Sequence, residues 1–227
     1  MKFASYLYIL IGVLDVAIEL TGHAGLRYFT RPLLMPVLIG FYISGAGTLT
    51  PRDRLVIIAL VFSWFGDLIL MMAAGSKTLF LLGLVSFLVA HIFYINAYII
   101  VRDRSAKMLL RNSPWLIIPI FVLLIAMLSL VLPAVTSDMW IPITIYTSVI
   151  GTMSTFALNR YGRVSDSSFA LVFAGALTFM LSDSLIAINT FLYHGTLYMA
   201  GAGIMATYIA GQYLIAKGML KNQDPNL

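Results

Sequence analysis

Apolar residues along this chain fall into eight long runs, and the breaks between them hold most of its charged residues and several prolines. A helix climbs about 1.5 Å per residue, so about 17 to 25 apolar residues cross the roughly 30 Å hydrocarbon core of a bilayer. The runs lie near 4–22, 33–49, 54–72, 78–101, 113–132, 139–158, 167–191 and 196–216. They predict an all-α polytopic membrane protein of eight transmembrane helices, one integral membrane domain over residues 1–227. The first run follows only Lys2 and carries Asp15 and Glu19, so a retained helix is expected here and not a signal peptide. The longest break, Arg102 to Asn112, is too short for a soluble domain. Any chemistry must therefore come from the helices and their ends.

Composition agrees with the pattern. With 61% hydrophobic and 10% charged residues, the chain is far from the balance of a soluble domain, and that class is excluded. The absence of cysteine removes disulfides, thiolate nucleophiles and Cys-based metal sites. The net charge of +5 could suggest nucleic acid, but the Lys and Arg residues sit in the breaks and report topology. Eleven of them (Lys2, Arg52, Arg54, Arg102, Arg104, Lys107, Arg111, Arg160, Arg163, Lys217 and Lys221) fall on one side and three (Arg27, Arg31 and Lys77) on the other. Basic residues stay on the cytoplasmic side, which predicts cytoplasmic termini and an integral protein of a bacterial inner membrane. Small residues four apart, Thr147/Gly151/Thr155 and Gly203/Thr207/Gly211, predict close packing of the sixth and eighth helices. Gly66-Asp67 and Ser182-Asp183, followed by Tyr94-Ile95 and Tyr208-Ile209, raise the expectation of a 4+4 parallel repeat.

Ionisable side chains inside the apolar runs carry the chemical information, because each is costly at membrane depth unless paired or wetted. They are Asp15, Glu19, Asp67, His91 and Asp183. The predicted spans place no Lys or Arg beside them. Measured from the cytoplasmic helix ends, Asp15, Glu19, Asp67 and Asp183 fall at roughly 17, 23, 20 and 24 Å, and His91 at roughly 15 Å. Four carboxyls thus share one layer toward the outer side. Carboxylates gathered where hydration is poor repel one another, so an acid form and a base form are expected to coexist there. Such a pair serves general acid/base hydrolysis or proton-coupled transport. The chain has no G-x-S-x-G elbow, no H-E-x-x-H pair and no G-x-x-x-x-G-K-[ST] loop. With His23 and His194 in outer breaks and only His91 in the membrane, no metal is expected.

Five motifs in order resemble the YhhN family, which includes lysoplasmalogenases. They are Arg31-Pro32-Leu33-Leu34-Met35-Pro36, Phe62-Ser63-Trp64-Phe65-Gly66-Asp67, His91-Ile92-Phe93-Tyr94, Gly175-Ala176-Leu177-Thr178-Phe179-Met180-Leu181-Ser182-Asp183 and Thr207-Tyr208-Ile209-Ala210-Gly211-Gln212. Arg31 stands where the family pattern leads us to expect Lys; its planar fork suits phosphate. The resemblance implies hydrolysis of the vinyl ether bond of a lysoplasmalogen, giving a fatty aldehyde and glycerophosphocholine or glycerophosphoethanolamine. It implies Asp67 and Asp183 as the acid/base pair and Arg31 as the phosphate contact. Ser63, His91, Tyr94, Ser182, Asn189, Tyr208 and Gln212 are the implied orienting residues, with Asp15 and Glu19 as supporting acids outside the matched motifs.

The resulting expectation is a membrane hydrolase acting on a lysophospholipid, with membrane lipids as surroundings, no cofactor and no nucleic-acid partner. Two other readings stay open at this point: a proton-coupled transporter of a small amphiphile, and a packing protein whose acids are satisfied structurally.

Overall fold

The computed structural model describes residues 2–73, 75–100 and 109–221; Arg102, Arg104 and Lys107, counted above for topology, lie outside the described residues. Among the described residues eight long helices overlap the apolar runs: α1 (Lys2–Thr21), α2 (Arg27–Ala46), α3 (Pro51–Met71), α4 (Lys77–Ile99), α5 (Ile118–Val131), α6 (Trp140–Leu158), α7 (Asp166–Ala187) and α8 (Ala200–Leu220). Single-turn extensions carry α5 to Pro114–Ala134, and a π turn carries α7 on to Leu192. The described residues contain no strand. Among the described residues the first seven spans are long and apolar enough to cross a membrane; the apolar run of α8 is interrupted by Gln212, Lys217 and four glycines.

Helix starts follow local chemistry. Thr50 and Asp53 form a reciprocal capping box ahead of α3, and Ser76 and Ser165 each accept a backbone N–H at the starts of α4 and α7. The helix contacts close a ring in the order α1, α2, α3, α4, α6, α7, α8 and back to α1, with α5 outside against α6. Tyr8 completes the closure, its hydroxyl donating to the Ile209 carbonyl at 3.0 Å. At the predicted cytoplasmic end, Arg160 is not a solvated loop charge but is buried, donating to Ser168 and lying over the Tyr98 ring. Burial lowers its guanidinium to about 10, which leaves it cationic at neutral pH.

Two helix starts that differ from the sequence reading bear on the site. Helix α2 begins at Arg27 and not near residue 33, so Pro32 lies inside it and does not start it. Pro36 has no N–H to offer the Pro32 carbonyl, and the Trp64 indole N–H on α3 takes that carbonyl at 2.9 Å. The prolines thus pin α2 to α3 instead of ending the helix. Helix α8 begins at Ala200 and not near 196, because His194, Gly195 and Met199 adopt left-handed backbone and Leu197 N–H is held by Asn189 Oδ1 at 3.1 Å.

One glycine of each small-residue stripe makes a close approach, each to its own neighbour. Gly151 of α6 lies against Leu124 of α5, and Gly211 of α8 meets the backbone of α7 at Gly175 and Phe179. A methyl at Gly175 would fall 2.8 Å from the Ile215 nitrogen and 2.9 Å from the Gly211 carbonyl oxygen, neither of which is free to move aside. At Gly203 the nearest atom would be at 3.7 Å. Gly175→Ala should therefore destabilise the detergent-solubilised protein by about 1 to 3 kcal/mol, read as a lower Tm. Gly203→Ala should leave the Tm unchanged.

Candidate active site

Inside the ring at its predicted outer end lies a cavity of about 780 Å³, and both Asp67 of α3 and Asp183 of α7 line it. Each carboxylate accepts a hydrogen bond from a tyrosine on another helix. Tyr208 of α8 donates to Asp67 Oδ2 at 2.8 Å, and Tyr146 of α6 donates to Asp183 Oδ2 at 2.5 Å. The small residue before each aspartate has a packing reason. A Cβ on Gly66 would enter the Phe87 ring, which lies directly on α3, while buried Ser182 donates to the Ile204 carbonyl of α8 at 3.0 Å. The Phe87, Phe179 and Tyr208 rings meet edge-on beside the acids. Leu70, Phe80, Ile186 and Ile204 give the cavity apolar walls.

Asp15 and Glu19, one turn apart on α1, face a different partner. Because α2 starts earlier than the sequence reading has it, Arg31 lies one turn inside the helix and supplies the cation that the predicted spans left out. Its guanidinium binds Glu19, and its Nε approaches Asp15 Oδ2 at 3.5 Å. Thr30 also donates to Asp15, and Arg27 lies 3.9 Å from Glu19. The four acids therefore divide into an ion-paired set and a tyrosine-paired set. Glu19, Arg27 and Arg31 line the cavity mouth; Asp15 is fully buried behind it.

Of the other residues singled out in the sequence, Ser182, Asn189 and Tyr208 line the cavity. Ser63, Tyr94 and Gln212 do not. They form a closed buried network, with Tyr94 donating to Gln212 Oε1 at 2.6 Å and Gln212 Nε2 to Ser63 Oγ at 3.0 Å. His91 is also fully buried, wedged edge-on against Phe179 and Tyr146, with its Nε2 3.9 Å from Asp183 Oδ2. The tyrosine partners do not follow a 4+4 equivalence, which would pair Asp183 with Tyr94 as Asp67 pairs with Tyr208. Sequence reasoning missed Tyr146, and nothing marks one tyrosine within an apolar run. It also missed Arg27 and His194 at the mouth, which read as loop residues. Among the described residues no three His, Asp or Glu side chains group as metal ligands.

The family model of the YhhN family matches residues 26–219. That span takes in Asp67 and Asp183 and leaves out Asp15 and Glu19. A human protein named lysoplasmalogenase TMEM86A is 27% identical over 184 residues, covering 77% of this chain and 69% of its own. No solved structure matches the chain.

Removing Arg31 strands a fully buried carboxylate. Arg31→Gln should destabilise the protein by about 3 kcal/mol or more, and adding Asp15→Asn should restore part of the loss. Thermal unfolding of the two single variants and the double variant in detergent measures both effects.

Proposed function

The chain belongs to the YhhN family, and we propose that it hydrolyses the vinyl ether bond of lysoplasmalogens, releasing a fatty aldehyde and glycerophosphocholine or glycerophosphoethanolamine. The observation that carries this reading is the pair of aspartates, from α3 and α7, lining one cavity with apolar walls and two arginines at its mouth. The name of the human relative supports the same substrate class.

The chemistry asks little beyond two carboxyl groups. One, in its acid form, gives its proton to the β carbon of the vinyl ether, leaving an oxocarbenium ion on the carbon that bears oxygen. The other, as carboxylate, takes a proton from the water that adds there. The hemiacetal then collapses as its hydroxyl proton returns to the first carboxyl and the glycerol oxygen takes the proton held by the second. Both groups end as they began. The tyrosine hydroxyls of Tyr146 and Tyr208 fix which oxygen of each carboxyl faces the cavity and can donate to the developing carboxylate. At the mouth, Arg27 is the more exposed of the two cations and Arg31 is anchored by Glu19. We assign the phosphate contact to the pair, with Arg27 reaching it and Arg31 holding the carboxylates aside.

Substituting either aspartate removes the pair. Asp67→Asn and Asp183→Asn should each lower aldehyde release by about 10² to 10⁴-fold, and the double variant should be little worse than either single one. The measurement is aldehyde formation by purified variants in detergent, where no ion gradient exists. Folded, monodisperse variants that keep most of their activity would remove the proposed chemistry.

A further inference from the structure

Asp183 borders more than the cavity it shares with Asp67. A second hollow of about 370 Å³ lies between α5, α6 and α7, and its wall combines Asp183 with Leu124, Met127, Ile150, Leu177 and Leu181. It opens on the lipid-facing side, where Leu123 and Leu181 are each 51% exposed. A polar cavity and an apolar groove thus meet at one carboxyl.

Two other hollows among the described residues do not offer that junction. The recess between Leu70, Phe80, Leu84 and Phe191 also touches Asp183 but holds only about 50 Å³, too little for a long hydrocarbon chain. The outer hollow beside Ser76, Lys77, Thr136 and His194 is as large as the groove but touches neither aspartate.

Resting on the hydrolase reading, we propose that the groove between α5, α6 and α7 is the chain subsite: the single alkenyl chain enters it sideways from the bilayer, with head group and glycerol in the polar cavity. The substrate's own layout argues for this. Its vinyl ether is where the polar half ends and the hydrocarbon begins, so it belongs where the polar cavity adjoins the apolar groove, beside Asp183. Lipid tails are as apolar as the groove, so the groove contributes register more than affinity. It holds the double bond at the carboxyl and leaves the far end of the chain in the bilayer.

Ile150→Trp and Leu177→Trp place bulk in the groove at positions that make no side-chain hydrogen bond to either aspartate. With hexadecenyl lysoplasmalogen, kcat/KM should fall by about tenfold or more, while a propenyl analogue with the same head group should stay within about twofold of wild type. Equal slowing of both substrates would overturn the subsite. A second measurement needs no variant. A non-hydrolysable alkyl-ether lysophosphocholine carrying a diazirine on its chain is photolysed with the wild-type protein. Labels that excess unlabelled lipid competes away should map to Leu124, Met127, Leu177 or Leu181. Competed labels confined to Leu70, Phe80 or Leu84, or none at all, would overturn it. Competed groove labels without aldehyde from wild type would keep the subsite and remove the hydrolase reading. Aldehyde without groove labels would do the reverse.

Discussion

A carboxyl group within a helical bundle at membrane depth has little water to solvate it, and it costs several kcal/mol unless another group meets it. This chain carries four such groups, and they are met in two ways. Asp15 and Glu19 are held by the guanidinium of Arg31, which ties α1 to α2. Asp67 and Asp183 are each held by a tyrosine hydroxyl, which ties α3 to α8 and α6 to α7. The same contacts that satisfy the acids therefore fasten the ring of helices. On the proposed reading the difference between the two solutions separates structure from chemistry. Arg31 ties Asp15 and Glu19 into an ion pair, whereas each tyrosine takes one carboxyl oxygen and leaves Asp67 and Asp183 lining the cavity.

The spans were legible because a bilayer imposes a length and a polarity on each helix, and the apolar runs meet both. The start of α2 was not legible, because Pro32 is a usual first-turn residue and only the tertiary bond from Trp64 to its carbonyl shows that the helix runs through it. One misplaced boundary then hid the pairing of Arg31 with Asp15 and Glu19. The two aspartates were conspicuous as lone acids in apolar runs, and the resemblance had marked them. Their tyrosines were less so. Tyr208 stood in a matched motif, but Tyr146 looks like any half-polar residue in a membrane helix until the fold brings it to Asp183.

Sequence also does not distinguish a polar residue that lines a cavity from one that seals it. Ser63, Tyr94 and Gln212 share helices with the cavity residues, yet they bond to one another and leave no group turned toward it. Asp67 lies one turn from Ser63 on α3, so the network stands directly beneath it. On the proposed reading it keeps water from the opposite side away from the reacting carbon, and the cavity meets substrate only from the mouth and the bilayer.

Carbon protonation by a carboxyl group leaves an isotopic record in the product. Wild-type protein in detergent and D₂O, given lysoplasmalogen and with the aldehyde trapped by immediate reduction, should yield product carrying one deuterium on the carbon next to the former carbonyl. Lysoplasmalogen recovered intact, or aldehyde formed without that deuterium, would contradict the account.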